Sequence, residues 1–116
     1  MSTPLQVLKS ELFRAIAHPT RIRLVEQLIA GERTVQQLQD ALALDQPVVS
    51  QHLAALRARN VVTVRRQGTQ GYYALRSPLI ADLMRVARKF LNQHLTENRS
   101  MLRELQREGQ RAERSR

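Results

Sequence analysis

Asp45-Gln46-Pro47-Val48-Val49-Ser50-Gln51-His52-Leu53-Ala54-Ala55-Leu56-Arg57-Ala58-Arg59-Asn60 is the stretch that decides the fold. Its apolar residues Val48, Val49, Leu53 and Leu56 recur at helical spacing, so they are expected to face inward. Asp45 is a favourable N-cap, Arg57 and Arg59 fall in the last turn, and Asn60 suits a left-handed terminator. What remains on the other side is polar: Gln46, Ser50, Gln51 and His52.

Immediately before it, Thr34 is a plausible N-cap for a short helix through Val35, Leu38, Ala41 and Leu42. The connector Leu44-Asp45 is as short as the turn of a helix-turn-helix pair should be. Further upstream, Leu5, Leu8, Leu12, Phe13 and Ile16 have helical spacing, and His18-Pro19 ends that helix. Pro19 fits the first position of the next helix, whose buried face is expected from Ile22, Leu24, Val25, Leu28 and Ile29, with Gly31 as its stop.

Downstream the period changes. Val61-Val62-Thr63-Val64 and Tyr72-Tyr73-Ala74-Leu75 are strand-like, and the polar segment Arg65 to Gly71 between them supplies the turn. After Pro78 a long helix is expected through Leu79, Leu83, Val86, Phe90, Leu95, Leu102 and Leu105, ending near Gly109. The fold class is therefore mainly α: a winged helix-turn-helix of about five helices and a two-stranded hairpin wing. One domain spans residues 1–108, followed by a polar, frayed tail over 109–116.

The charge agrees with that placement. The 116 residues carry 19 basic and 10 acidic side chains, a net charge of +9. From Gln46 to Ala81 there are five arginines and no acid. One sign of charge over the proposed recognition helix and wing points to a polyanion, with double-stranded DNA as the expected partner. Gln46, Ser50, Gln51 and His52 are the candidate readers of base edges. Arg57 and Arg59 are candidate phosphate contacts, and Arg65, Arg66 and Gln67 carry the wing to the flanking backbone or minor groove.

Other classes fit less well. There is no cysteine, which removes disulfides, thiolate metal sites and cysteine nucleophiles. No glycine-rich phosphate loop or nucleophile elbow is present, so an enzyme is not expected. Two Tyr and two Phe offer little stacking surface for RNA or single strands. A basic scaffold protein without specific readout would leave the acid-free window unexplained. No stretch approaches the roughly 20 apolar residues of a membrane span. Met1 to Phe13 mixes polar residues with its leucines, unlike a signal peptide, so a cytoplasmic protein is expected.

His18-Pro19-Thr20-Arg21, Thr34-Val35-Gln36-Gln37-Leu38, Val49-Ser50-Gln51-His52-Leu53-Ala54-Ala55-Leu56, and Val61-Val62 with Gly68 and Tyr72-Tyr73 resemble the ArsR/SmtB regulators. The likeness covers about Leu8 to Leu95. It implies a homodimer that binds a palindromic operator, with many such proteins repressing genes until an inducer, often a metal ion, releases them. The cysteine pair of the arsenic and cadmium sensors would fall near Thr34 and Gln36, so that chemistry is absent here.

Independently of the likeness, an apolar stripe at Leu5, Leu8 and Leu12 and at Leu83, Phe90, Leu91, Leu95 and Leu102 is expected to bury itself between the first and last helices of two subunits. The alternative is that the stripe only closes the monomer core. His18 suits capping or packing. His94 and Glu97, one turn apart on the last helix, are the candidate metal ligands. The resemblance pairs them with positions here occupied by Ala81 and Leu83, which cannot bind metal, and Asp82 points about 100° away. Such a half-set would hold nickel or zinc weakly; the other reading is a regulator with no metal effector.

Overall fold

The computed structural model describes residues 1–95 and 99–114. Its elements run α1 (Pro4–Ile16), α2 (Pro19–Leu28), β1 (Arg33–Thr34), α3 (Val35–Leu42), α4 (Gln46–Ala58), β2 (Val62–Gln67), β3 (Gln70–Leu75), α5 (Pro78–His94) and α6 (Arg99–Arg114).

Local chemistry explains most of these boundaries. Thr3 with Gln6, and Thr34 with Gln37, form reciprocal capping boxes at the starts of α1 and α3. His18 caps α2, its Nδ1 accepting from the Thr20 amide at 3.1 Å. Pro19 occupies the first turn of α2, where its missing N–H costs nothing. Asp45 does hold the N-cap position of α4, but its side chain makes no capping bond. Asn60 has φ 61°, the left-handed conformation expected of it after α4.

Leu24, Val25, Leu28, Leu38, Val49, Leu53, Leu56, Val61 and Val62 form the centre of the core, between α2, α3, α4 and the foot of β2. Three residues expected inside lie at the surface instead: Ile22, Ile29 and Val48. In each case a neighbour one or two positions away, Leu24, Leu28 or Val49, already fills the inward-facing side of the helix.

Two corrections concern the sheet. The wing has three strands in the order β1-β3-β2, because Arg33 and Thr34 pair with Tyr73 and Tyr72. A two-residue strand leaves no periodicity to detect. The turn is also tighter than expected: Gln67 pairs with Gln70, leaving only Gly68 and Thr69 between strands. Gly68 has φ 61°, which a two-residue hairpin requires and glycine supplies without strain.

The last helix is two helices. α5 ends at His94 with Leu95 as its C-cap, and α6 runs from Arg99 to Arg114, so Gly109 lies within a helix and residues 109–114 are helical. α6 lies back against α5, with Leu102, Leu105 and Ala112 half-buried.

Candidate nucleic-acid interface

The amino-terminal half of α4 projects from the body with its polar side outward. Gln46 and Gln51 are exposed, and Gln46 Nε2 donates to Ser50 Oγ at 2.7 Å. That bond holds two candidate base readers in one arrangement on adjacent turns. Val48 adds a partly exposed methyl surface beside them, a contact suited to a thymine methyl that the inward assignment overlooked.

His52 behaves differently from its neighbours. It is half-buried, its ring lies 4.5 Å from that of His18, and its Nδ1 accepts from Arg21 Nε at 3.1 Å. The side chain thus joins α4 to the start of α2. Burial lowers its pKa below the ordinary histidine value, with the neighbouring His18 and Arg21 charges acting in the same direction. A ring that accepts at Nδ1 carries its proton on Nε2 and is neutral.

The arginines also divide. The Arg57 side chain is exposed and makes no hydrogen bond among the described residues, whereas Arg59 Nη1 donates to Glu11 Oε2 at 3.2 Å. On β2, the Arg66 side chain is exposed, without hydrogen bond or ion pair among the described residues. Arg65 makes a bond from each of its three nitrogens. Its Nε and Nη2 each donate to Glu32 at 3.0 Å, its Nη1 donates to Gln67 Oε1 at 2.9 Å, and its guanidinium sits 4.6 Å from the centre of the Tyr72 ring. The Arg65 hydrogen bond holds the Glu32 carboxyl below its usual range. Arg21 and Glu32 escape sequence reasoning because each meets its partner more than thirty residues away.

The apolar stripe assigned to two subunits is only partly free. Leu12 and Leu83 pack against the core, and Leu95 and Leu102 are half-buried. Leu5 (60% exposed), Leu8 (62%), Phe90 (58%) and Leu91 lie open on α1 and α5, with Phe13, Leu79 and Val86.

His94 stands at the end of α5 with Nδ1 2.8 Å from the Phe90 carbonyl oxygen, and Glu97 lies outside the described residues. Asp82 is paired with Arg85. Among the described residues no three His, Cys, Asp or Glu side chains gather as a metal site would need. None of the helices described is long and apolar enough to cross a membrane.

Comparison with known proteins agrees with this architecture. Residues 18–64 match the model of the bacterial regulatory protein arsR family. The chain is 40% identical over 105 residues to the HTH-type transcriptional regulator Rv0081 of Mycobacterium tuberculosis, covering 90% of this chain and 92% of that one. The crystal structure of Rv0081 superposes with a TM-score of 0.75 over 83% of this chain and 97% of that chain, at 41% identity. The HTH-type transcriptional repressor SmtB of the same organism is 46% identical over 74 residues, 64% of this chain and 55% of SmtB. A homodimeric winged helix-turn-helix DNA-binding domain from Mycobacterium bovis matches with a TM-score of 0.74 at 26% identity, over 81% of this chain and 87% of that one. Fold, exposed recognition surface and sequence likeness converge: the chain belongs to the arsR family and is a DNA-binding transcriptional regulator of the winged helix-turn-helix type.

Proposed function

We propose that this chain works as a homodimeric repressor on a palindromic double-stranded operator. The observation that carries this reading is the exposed polar face of α4, which lies within the same acid-free stretch as the wing. In such an arrangement Gln46, Ser50 and Gln51 meet base edges in the major groove, Arg57 meets phosphate, and Arg66 carries the wing to the flanking backbone. Dimerisation is supported by Leu5, Leu8, Phe90 and Leu91, whose exposure together is more than an isolated subunit usually tolerates. Repression is supported by relatives whose names record it, SmtB and the biofilm growth-associated repressor of Xylella fastidiosa among them.

Nickel or zinc does not fit the described residues as an effector. His94 would stand with no described ligand beside it, and Ala81 and Leu83 offer no donor atom. Calorimetric titration with Ni²⁺ and Zn²⁺ should therefore give equal heats for the wild type and His94→Ala; a binding isotherm lost in the variant would reinstate the site.

Selection of bound fragments from random DNA tests the main reading. The expected product is an inverted repeat with half-sites about 10–10.5 base pairs apart, or a multiple of that, occupied by two chains. A single unrepeated site occupied by one chain would sink the dimeric model.

A further inference from the structure

Arg65 and Arg66 are adjacent in sequence and differ in circumstance. Arg65 reaches across β3, over the Tyr72 ring, to the carboxylate of Glu32 just before β1. The register makes this reach possible: Thr34, Tyr72 and Arg65 lie in one row across β1, β3 and β2. The two bonds to Glu32 are a fork-to-fork pairing, the same geometry an arginine uses on a phosphate group. With Gln67 on the remaining nitrogen, every nitrogen of the guanidinium is occupied. A phosphate can gain the bidentate Nε–Nη2 edge of this arginine only by displacing Glu32.

Displacement is feasible because the bridge is exposed. The side chains retain 52% and 43% of their accessible surface, and water screens ion pairs of that kind strongly. The dense charge of a duplex is a stronger competitor than one solvated carboxylate. Moreover, Glu32 is one of only ten acids in the chain, and it lies outside the acid-free stretch in sequence while the fold returns it to the wing.

We propose that Glu32 is an internal stand-in for a backbone phosphate, which holds Arg65 in the absence of DNA and lowers the affinity of the wing for duplex of any sequence. The proposal rests on the wing meeting the DNA backbone, as set out above. Arg66 is then the constitutive phosphate contact and Arg65 the conditional one. Glu32 tunes how readily the protein leaves non-operator DNA, without touching a base.

The test is a salt titration of binding to operator and to random duplex, using the wild type, E32Q, R65A, the E32Q/R65A double variant and R66A. E32Q should bind both duplexes more tightly, by about 1.4- to 5-fold, which is what an exposed ion pair is worth, with a log–log salt slope close to that of the wild type because Arg65 reaches the same phosphate in both. The gain should vanish in the E32Q/R65A variant. Persistence of the full gain in that double variant would mean simple charge removal and would overturn the proposal. An unchanged or weaker E32Q would also overturn it, leaving the bridge as a staple between β1 and β2. R66A separates the two levels: a slope unaltered by R66A removes the wing from the backbone altogether, whereas a shallower R66A slope beside an inert E32Q removes only the role of Glu32.

Discussion

Arg21 and His52 tie the first turn of α2 to the middle of the recognition helix, through a 3.1 Å bond from Nε to a neutral imidazole nitrogen. Arg21 also donates to the Ala15 carbonyl at 3.2 Å, so one guanidinium gathers α1, α2 and α4. The orientation of α4 relative to the body therefore depends on a side chain that sequence alone would assign to DNA.

From this follows a stability and pH prediction. His52→Ala should destabilise the fold by about 1–2 kcal/mol in urea denaturation, the cost of a lost hydrogen bond and ring contact. The pKa of His52 is lowered in the folded state, so the stability due to its neutral form is full above the ordinary 6.5 and is lost as pH falls through the lowered value. His52→Gln, which keeps an acceptor but does not titrate, should remove that acid-side loss. A variant as acid-sensitive as the wild type would assign the loss elsewhere.

The two parts of the DNA surface should respond to mutation differently. Arg66→Ala should flatten the salt dependence of binding by about 0.9 and weaken every sequence alike. Gln51→Ala should leave the slope unchanged and reduce discrimination against altered operators by roughly 1–3 kcal/mol. Competition assays with single-base operator variants distinguish these outcomes.

Charge placed on the open apolar surface should split the proposed dimer. Leu8→Glu combined with Phe90→Glu leaves the core untouched, since both side chains are exposed. Sedimentation should show monomers with native circular dichroism, and operator affinity should drop by at least tenfold because two half-sites no longer act together. Dimers that survive both charges would place the interface on another face.

A second titration belongs to α6. Burial raises the Glu26 carboxyl on α2 from 4.5 to about 7, assisted by a hydrogen bond to Glu108 and by the charges of Glu108 and Glu104, with Arg111 acting against them. The bond between two carboxyls needs a proton. Its stabilising effect is complete below pH 4.5 and is lost as pH rises through about 7. Raising the pH from 5.5 to 8 should thus lower the melting temperature more in the wild type than in Glu26→Gln, by a few degrees. Taking the difference between the two proteins cancels the contribution of His52. Identical pH profiles would show that α6 docks without this proton.

How far the chain is legible before folding follows from the range of each interaction. Capping pairs such as Thr34–Gln37, the proline at the start of α2, the left-handed Asn60 and the β-branched run at Val61 act within a few residues, so their order along the chain already spells a winged helix-turn-helix. The concentration of arginine between Gln46 and Ala81 likewise marks the half proposed to meet DNA. Contacts between distant positions carry no such local signal. Strand β1 exists only because β3 passes beside Arg33 and Thr34, and α6 takes its place only by packing against α5. For the same reason the roles of individual polar residues were decided by tertiary structure: His52 was drawn to Arg21 and Arg65 to Glu32, leaving Gln51 and Arg66 facing outward. Local chemistry determined which segment carries the exposed polar helix and the basic wing; packing at long sequence separation decided which of its side chains were left free.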